Sequence, residues 1–192
     1  MLEIILIRPG STDFDLQGRI QGTLDIPLNE EGNRKVAEVT AELKQRGIEV
    51  VYTSESEPAL ETAETIAAGV GVKCKKLDEM ENVDLGLWQG MMIEEVRRKQ
   101  PTVYRQWEDT PENICPPDGE MLGQAKERVQ RALHKLSRKH KSGVIALVVP
   151  EPLASLVHCY LTHHALNNLW KAHDNGTWEA IHVEPQSLAY SR

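Results

Sequence analysis

The apolar run Leu2 to Ile7 is followed at once by Arg8, Pro9 and Gly10. A charged side chain at the end of a buried strand, entering a Pro-Gly loop, is the pattern of a functional loop held by a rigid element. Far along the chain Glu151 stands between Pro150 and Pro152, directly after a second apolar run, Val144 to Val149. Pro152 suits the first position of a helix, so the Glu151 carboxylate is expected at a helix N-terminus, which stabilises an anion. Seven histidines raise the question of a nucleophile or a metal site. His158, His163 and His164 lie close in sequence, and His158 shares a helical face with Thr162. No carboxylate or cysteine completes a recognised ligand spacing there, so they read as surface or helix-end residues and no metal is expected. His134 and His140 fall in a basic helical stretch whose charge they tune. Cys74, Cys115 and Cys159 are odd in number and far apart, which suggests neither a disulfide framework nor a zinc clip. Cys115, in a proline-rich loop, is the thiol expected to be exposed and reactive.

The elements that must position these groups follow from hydrophobic periodicity. Leu2 to Ile7 reads as a buried strand. Asn29 with Glu30 and Glu31 reads as an N-cap and acidic first turn, and Val36, Val39 and Leu43 then share one helical face up to Gly47. Val50 to Thr53 is a second strand. Ala59, Ala63, Ile66, Ala67 and Val70 mark a helix closed by Gly69 and Gly71, before a short strand near Val72 to Lys76. Asp78 to Gly90 reads as a loop, and Ile93 to Lys99 as a short charged helix stopped before Pro101. The three prolines between Pro111 and Pro117 suggest a flexible excursion. A long amphipathic helix through Leu122, Val129 and Leu136 leads to the strand Val144 to Val149, then to a helix over Pro152 to Leu161 and a late strand over Thr177 to Val183. Strands alternating with helices, without internal repeats, predict a three-layer α/β/α sandwich on a mostly parallel sheet, as one domain over residues 1–192.

Composition narrows the function classes. The 192 residues carry 22 basic and 29 acidic side chains, a balance of −7 that argues against a general nucleic-acid binder. The basic runs Arg97-Arg98-Lys99 and Lys135 to Lys141 read as solvated helix faces. No apolar run approaches the ~20 residues of a membrane span, and Met1 to Ile7 is too short for a signal peptide. The expected setting is the cytoplasm.

Beyond Leu6-Ile7-Arg8-Pro9-Gly10-Ser11-Thr12 come Arg19-Ile20-Gln21-Gly22, Asp25, Pro27-Leu28 and Gly32. Further on are Tyr52-Thr53-Ser54 with Thr62-Ala63, Gly86-Leu87-Trp88-Gln89-Gly90, Pro117-Asp118-Gly119-Glu120 and Asp174-Asn175-Gly176. In this order the segments resemble the histidine phosphatase superfamily, which includes the cofactor-dependent phosphoglycerate mutases. The family's opening motif is Arg-His-Gly; here the histidine is replaced by Pro9, and Met121 replaces the serine of its Pro-x-Gly-Glu-Ser motif.

The resemblance implies a histidine nucleophile, two arginines and a second histidine around a phosphoryl group, and a glutamate as proton donor. By motif these roles fall on Pro9, on Arg8 and Pro58, on Glu151 and on Asn82. Only Arg8 is the residue the family uses. Pro9 has no side-chain lone pair and no backbone N–H, so no phosphohistidine can form at that position. Pro58 lacks a bidentate clamp, and Asn82 donates a hydrogen bond without transferring a proton. Glu81 is the nearest replacement acid, although on an extended segment its side chain faces away from that of Asn82. Arg19, Ser11 and Thr12 match positions near the family's pocket and are expected either to bind an anion or to organise the loop. Glu151 is expected to pair with Arg8 in the place of the phosphate. These substitutions lead to the expectation of a catalytically inactive protein that binds a small anionic ligand or a protein partner, without a cofactor. One alternative is an enzyme of altered chemistry, with Glu151 as general base and Arg8 as anion anchor. Another is an interaction module whose pocket has collapsed.

Overall fold

The computed structural model describes residues 1–166 and 174–184. Its centre is a five-stranded sheet of β1 (Leu2–Ile7), β2 (Ile48–Thr53), β3 (Lys73–Lys76), β4 (Gly143–Val148) and β5 (Trp178–Val183). The spatial order is β3-β2-β4-β1-β5, parallel except for β5, which runs antiparallel to β1. Successive side chains of a strand face opposite ways. Leu2, Ile4 and Leu6 of β1 therefore join one core and Ile5 and Ile7 the other. Strand β4 divides in the same manner, with Ile145 and Leu147 on the first face and Ala146 and Val148 on the second. A central strand buried on both faces reads in sequence as a continuous apolar run, which is why β1 and β4 were legible. The edge strand β3 carries three lysines and has little to bury, a composition that discourages pairing with another chain.

Helices cover both faces. Helices α1 (Asp13–Gln17), α2 (Glu30–Leu43) and α3 (Glu57–Val70) follow β1 and β2, and α2 and α3 bury Val36, Val39, Leu43, Ala63 and Ile66 on one face. The other face is covered by α4 (Ile93–Lys99), α5 (Pro101–Asp109), α6 (Leu122–Lys139) and α7 (Leu153–Thr162). Asn29 caps α2 as expected, accepting the Gly32 N–H at 2.7 Å. Gly32 itself is required by a close approach, because a Cβ there would lie 2.2 Å from the Ser11 carbonyl oxygen.

Several local expectations are corrected. Helix α2 ends at Leu43, ahead of Gly47, and Gly69 lies inside α3, whose left-handed cap is Gly71 alone. Helix α1 is one short turn with a Thr12–Asp15 capping box, and α5 starts at Pro101, the residue expected to stop a helix. Proline is tolerated there because it occupies the first turn, where its missing N–H has no intrahelical partner to lose. Pro111 to Pro117 is not a free excursion: Pro111, Ile114 and Pro116 are buried. Pro152 caps α7 rather than opening it.

His140, at the end of α6, meets the Tyr52 hydroxyl through Nε2 at 2.9 Å. Burial, followed by the neighbouring Lys139 charge, holds its imidazole below the usual value. The unfolded chain then binds this proton first, near pH 6.5 (about the free value), so stability falls as pH drops from there through the folded value. Urea denaturation from pH 8 to pH 5 should show the wild type losing more stability than His140→Gln; parallel losses would remove His140 from the acid response.

Candidate active site

The C-terminal ends of β1 and β4 lie side by side, and the chain leaves them toward opposite faces, into α1 and α2 from β1 and into α7 from β4. Such a divergence opens a crevice in a parallel sheet. Arg8 and Glu151 enter it from these two strand ends. Arg8 Nε donates to Glu151 Oε1 at 2.7 Å, and Arg8 Nη1 donates to Glu179 Oε1, on β5, at 3.2 Å. The guanidinium is 11% exposed, whereas the two carboxylates are about one-third exposed, at 27% and 32%. Glu151 Oε2 accepts from the Ser155 N–H at 3.2 Å and the Ser155 hydroxyl at 2.7 Å, which places the carboxylate at the N-terminus of α7. Glu179 Oε2 lies 3.0 Å from His158 Nδ1.

The loop after Arg8 is pinned on several sides. The Arg8 N–H reaches the Thr177 carbonyl at 2.9 Å and the Gly176 N–H reaches the Pro9 carbonyl at 2.7 Å. Gly10 N–H donates to Thr62 Oγ1 at 3.1 Å, tying the loop to α3. Above it lies a cavity of about 330 Å³, lined by Arg8, Pro9, Pro58, Arg19, Trp107 and Glu151 among others. The collapsed-pocket expectation therefore fails, because rigid backbone from two strand ends and four prolines holds the walls apart.

Of the residues singled out in the sequence, Arg8, Pro9, Pro58, Arg19 and Glu151 line this cavity. Ser11 and Thr12 do not: Ser11 donates to Asn29 Oδ1 at 3.0 Å, and buried Thr12 spends its hydroxyl in the capping box of α1. They organise the loop. Asn82 is buried behind the wall, where Nδ2 bridges the carbonyls of Gly22 at 2.8 Å and Glu151 at 2.9 Å. Glu81 is exposed and lies off the cavity lining, which removes it as a replacement acid. Arg19 Nη1 is held on the Gly90 carbonyl at 2.6 Å.

The other candidate nucleophiles stand elsewhere. Burial raises the Cys74 and Cys159 thiols, helped by Glu64 and Glu151 respectively, so neither is an activated thiolate. Cys115 is exposed and away from the cavity. Among the described residues no group of three or more His, Cys, Asp or Glu could hold a metal ion. His182 is exposed on β5, and His173 lies outside the described residues.

The family model for the histidine phosphatase superfamily (branch 1) matches residues 4–192. The chain belongs to the histidine phosphatase superfamily. Phosphoserine phosphatase 1 of Hydrogenobacter thermophilus is 29% identical over 185 residues, covering 96% of this chain and 88% of that one. Phosphoglycerate mutase-like protein 4 of Arabidopsis thaliana is 33% identical over 153 residues, covering 76% and 65%. Two solved structures share the fold. Mycobacterial glucosyl-3-phosphoglycerate phosphatase complexed with VO3 superposes with a TM-score of 0.86 at 20% identity, over 96% of this chain and 94% of its own. Phosphoserine phosphatase of Entamoeba histolytica with 3-phosphoglyceric acid gives 0.80 at 24% identity, over 94% and 90%.

These relatives overturn the expectation of a catalytically inactive superfamily member: the proteins it resembles along most of its length include named phosphatases. Among the described residues no helix is long and apolar enough to cross a membrane.

Two contributors to the site escaped the sequence analysis. Glu179 could have been found from alternation: on β5 it precedes Ile181 and Val183 in a row that faces the core, opposite Leu6. An acidic residue in an apolar row, beside the strand that ends in Arg8, calls for a cation. Arg128, on α6, gave no such signal. Its guanidinium forks onto Glu120 at 2.7 and 2.9 Å and also donates to the carbonyls of Glu79, Glu81 and Asn82. It thereby fixes the loop that carries Asn82 and, through Asn82, the backbone of Glu151. Arg128→Met strands a mostly buried carboxylate and three carbonyls, and should cost about 3 kcal/mol in urea denaturation; a loss below about 0.5 kcal/mol would show that water serves these groups equally well.

Proposed function

We propose that the protein hydrolyses a phosphate ester in the Arg8 cavity by direct attack of water, with Arg8 as phosphoryl anchor and Glu151 as general base. The observation that carries this reading is the arrangement at the cavity floor, where a guanidinium fixed by two carboxylates stands 2.7 Å from one of them. Among the described residues Arg8 Nη2 meets no acceptor, and Arg8 lines the cavity, which leaves that edge of the fork for a phosphoryl oxygen. The named activities of the phosphatase relatives support the same class of reaction.

The route differs from that of the superfamily. With proline at position 9 and glutamate at position 151, we read the chain as a member without the two catalytic histidines, in which no phosphoenzyme forms on Pro9. The oxygen of water bonds to phosphorus as the ester P–O bond breaks, and the proton that water loses passes to the Glu151 carboxylate. The leaving oxygen takes a proton from solvent, so the products are an alcohol and phosphate. Arg8 opposes the charge that gathers on the phosphoryl oxygens, and its two carboxylate partners keep it from reorganising as that charge develops. Arg19 adds a second cation on the cavity wall and favours entry of a small anionic ligand. We place this activity in the cytoplasm, a setting in which the three free thiols stay reduced.

Phosphate release from a panel of phosphate esters tests the proposal. The wild type should turn over at least one ester, Arg8→Ala should lower kcat/KM by about 10²–10³, and Glu151→Gln should lower it by about 10²–10⁴. Equal background release from all three proteins would contradict it.

A further inference from the structure

The cation at the cavity floor is connected to a titratable group that does not line the cavity. Arg8 Nη1 reaches Glu179 Oε1 at 3.2 Å, and the other oxygen of that carboxylate lies 3.0 Å from Nδ1 of His158, on α7. Glu151 has further donors beside Arg8, the N–H and hydroxyl of Ser155 at 3.2 and 2.7 Å. Glu179 differs. Among the described residues its carboxylate meets two groups, Arg8 and His158, so the charge on His158 decides how much of the Glu179 charge falls on Arg8.

The surroundings of His158 fix where its protons sit. Nδ1 is buried, and its N–H is not aligned on Glu179 Oε2 as in a regular hydrogen bond, so the contact acts through charge. A lone pair on this buried nitrogen would face a carboxylate oxygen at 3.0 Å, which places a proton on Nδ1 in both charge states of the ring. The side chain is one-third exposed, so its second proton exchanges with solvent. Among the described residues two titratable groups lie against the ring: Glu179 from β5, and His164, stacked on it with ring centroids 6.3 Å apart. Lys126 and Glu112, in the neighbouring cavity that His164 lines, are paired with each other at 2.7 Å.

We infer that His158 is a positioning residue for the phosphoryl site: its imidazolium form offsets Glu179 and leaves the Arg8 charge to a phosphoryl dianion, whereas its neutral form leaves Glu179 to oppose that dianion. This rests on the reading of Arg8 as phosphoryl anchor. Histidine changes charge between about pH 5 and 8, so the site binds a dianion more tightly on the acid side of that range.

Sulfate is a dianion throughout the range and is not a phosphate ester, so it reads the anchor apart from turnover. The full chain is titrated with sulfate in a calorimeter at low salt, at about pH 5.5 and about pH 8. The wild type should bind about tenfold more tightly at the lower pH. His158→Asn keeps an N–H toward Glu179 without a charge, and should bind at both pH values as weakly as the wild type does at the higher one. Glu179→Gln removes the opposing charge, and should bind at the higher pH about as tightly as the wild type at the lower. His164→Asn should keep the wild-type response, and Arg8→Ala should lose sulfate binding at both pH values. A wild type that does not bind sulfate, or binds it no more tightly on acidification, overturns the inference. So does a response retained in His158→Asn or lost in His164→Asn, and so does sulfate binding that survives Arg8→Ala. Ester hydrolysis measured on the same samples separates the two readings. The predicted sulfate pattern without turnover upholds this inference and contradicts the hydrolytic reading, whereas turnover with a sulfate affinity indifferent to His158 does the reverse.

Discussion

Arg8 is a nearly buried cation, and everything around the cavity is arranged to make that tolerable. An unpaired guanidinium at 11% exposure would be costly, and two carboxylates from different elements relieve it. Because one partner enters from β4 and the other from β5, the ion cluster also ties three strands together at the end of the sheet. The pair is a weak source of stability by itself, since desolvation offsets much of the attraction. Its consequence is positional: a charged fork is fixed at the floor of an open cavity, with one edge not yet used.

The scaffold explains why these groups meet although 143 residues separate Arg8 from Glu151. Parallel strands β1 and β4 end beside each other, and their connections leave toward opposite faces. Behind the wall, Arg128 and Glu120 clamp the loop around Asn82, whose amide spans the backbone of Gly22 and Glu151. The site is thus held from the first strand, the fourth strand and the long amphipathic helix. That is the kind of support a preorganised charge needs if it is to act without rearrangement.

The buried strands, the capped helix α2 and the amphipathic helix α6 were legible because each carries its period openly. Helices α1 and α5 were not, since one is a single turn set by a Thr12–Asp15 capping box and the other begins on a proline that sequence reasoning treats as a stop. At the site, Arg8 and Glu151 could be read from strand ends and flanking prolines, and Glu179 from its place in the apolar row of β5, although its neighbour Arg8 follows only from the pairing of β5 with β1. The expectation of inactivity follows from the residues at positions 9, 58, 82 and 151, and it equates the loss of one mechanism with the loss of all chemistry, whereas the cavity and its fixed cation persist. Ser11 and Thr12 were legible only as far as two alternatives, anion contact or loop organisation, because their position beside the motif fits both; their hydroxyls are spent in local loop bonds.

We place a phosphoryl oxygen on the free edge of the Arg8 guanidinium, with both of its carboxylate partners still paired to it. A crystal structure of the chain with phenyl phosphate should show a phosphoryl oxygen within hydrogen-bond distance of Arg8 Nη2 and the Glu151 and Glu179 pairs intact. A ligand bound elsewhere, or one that reaches Arg8 only after Glu151 has swung out of the cavity, would contradict it.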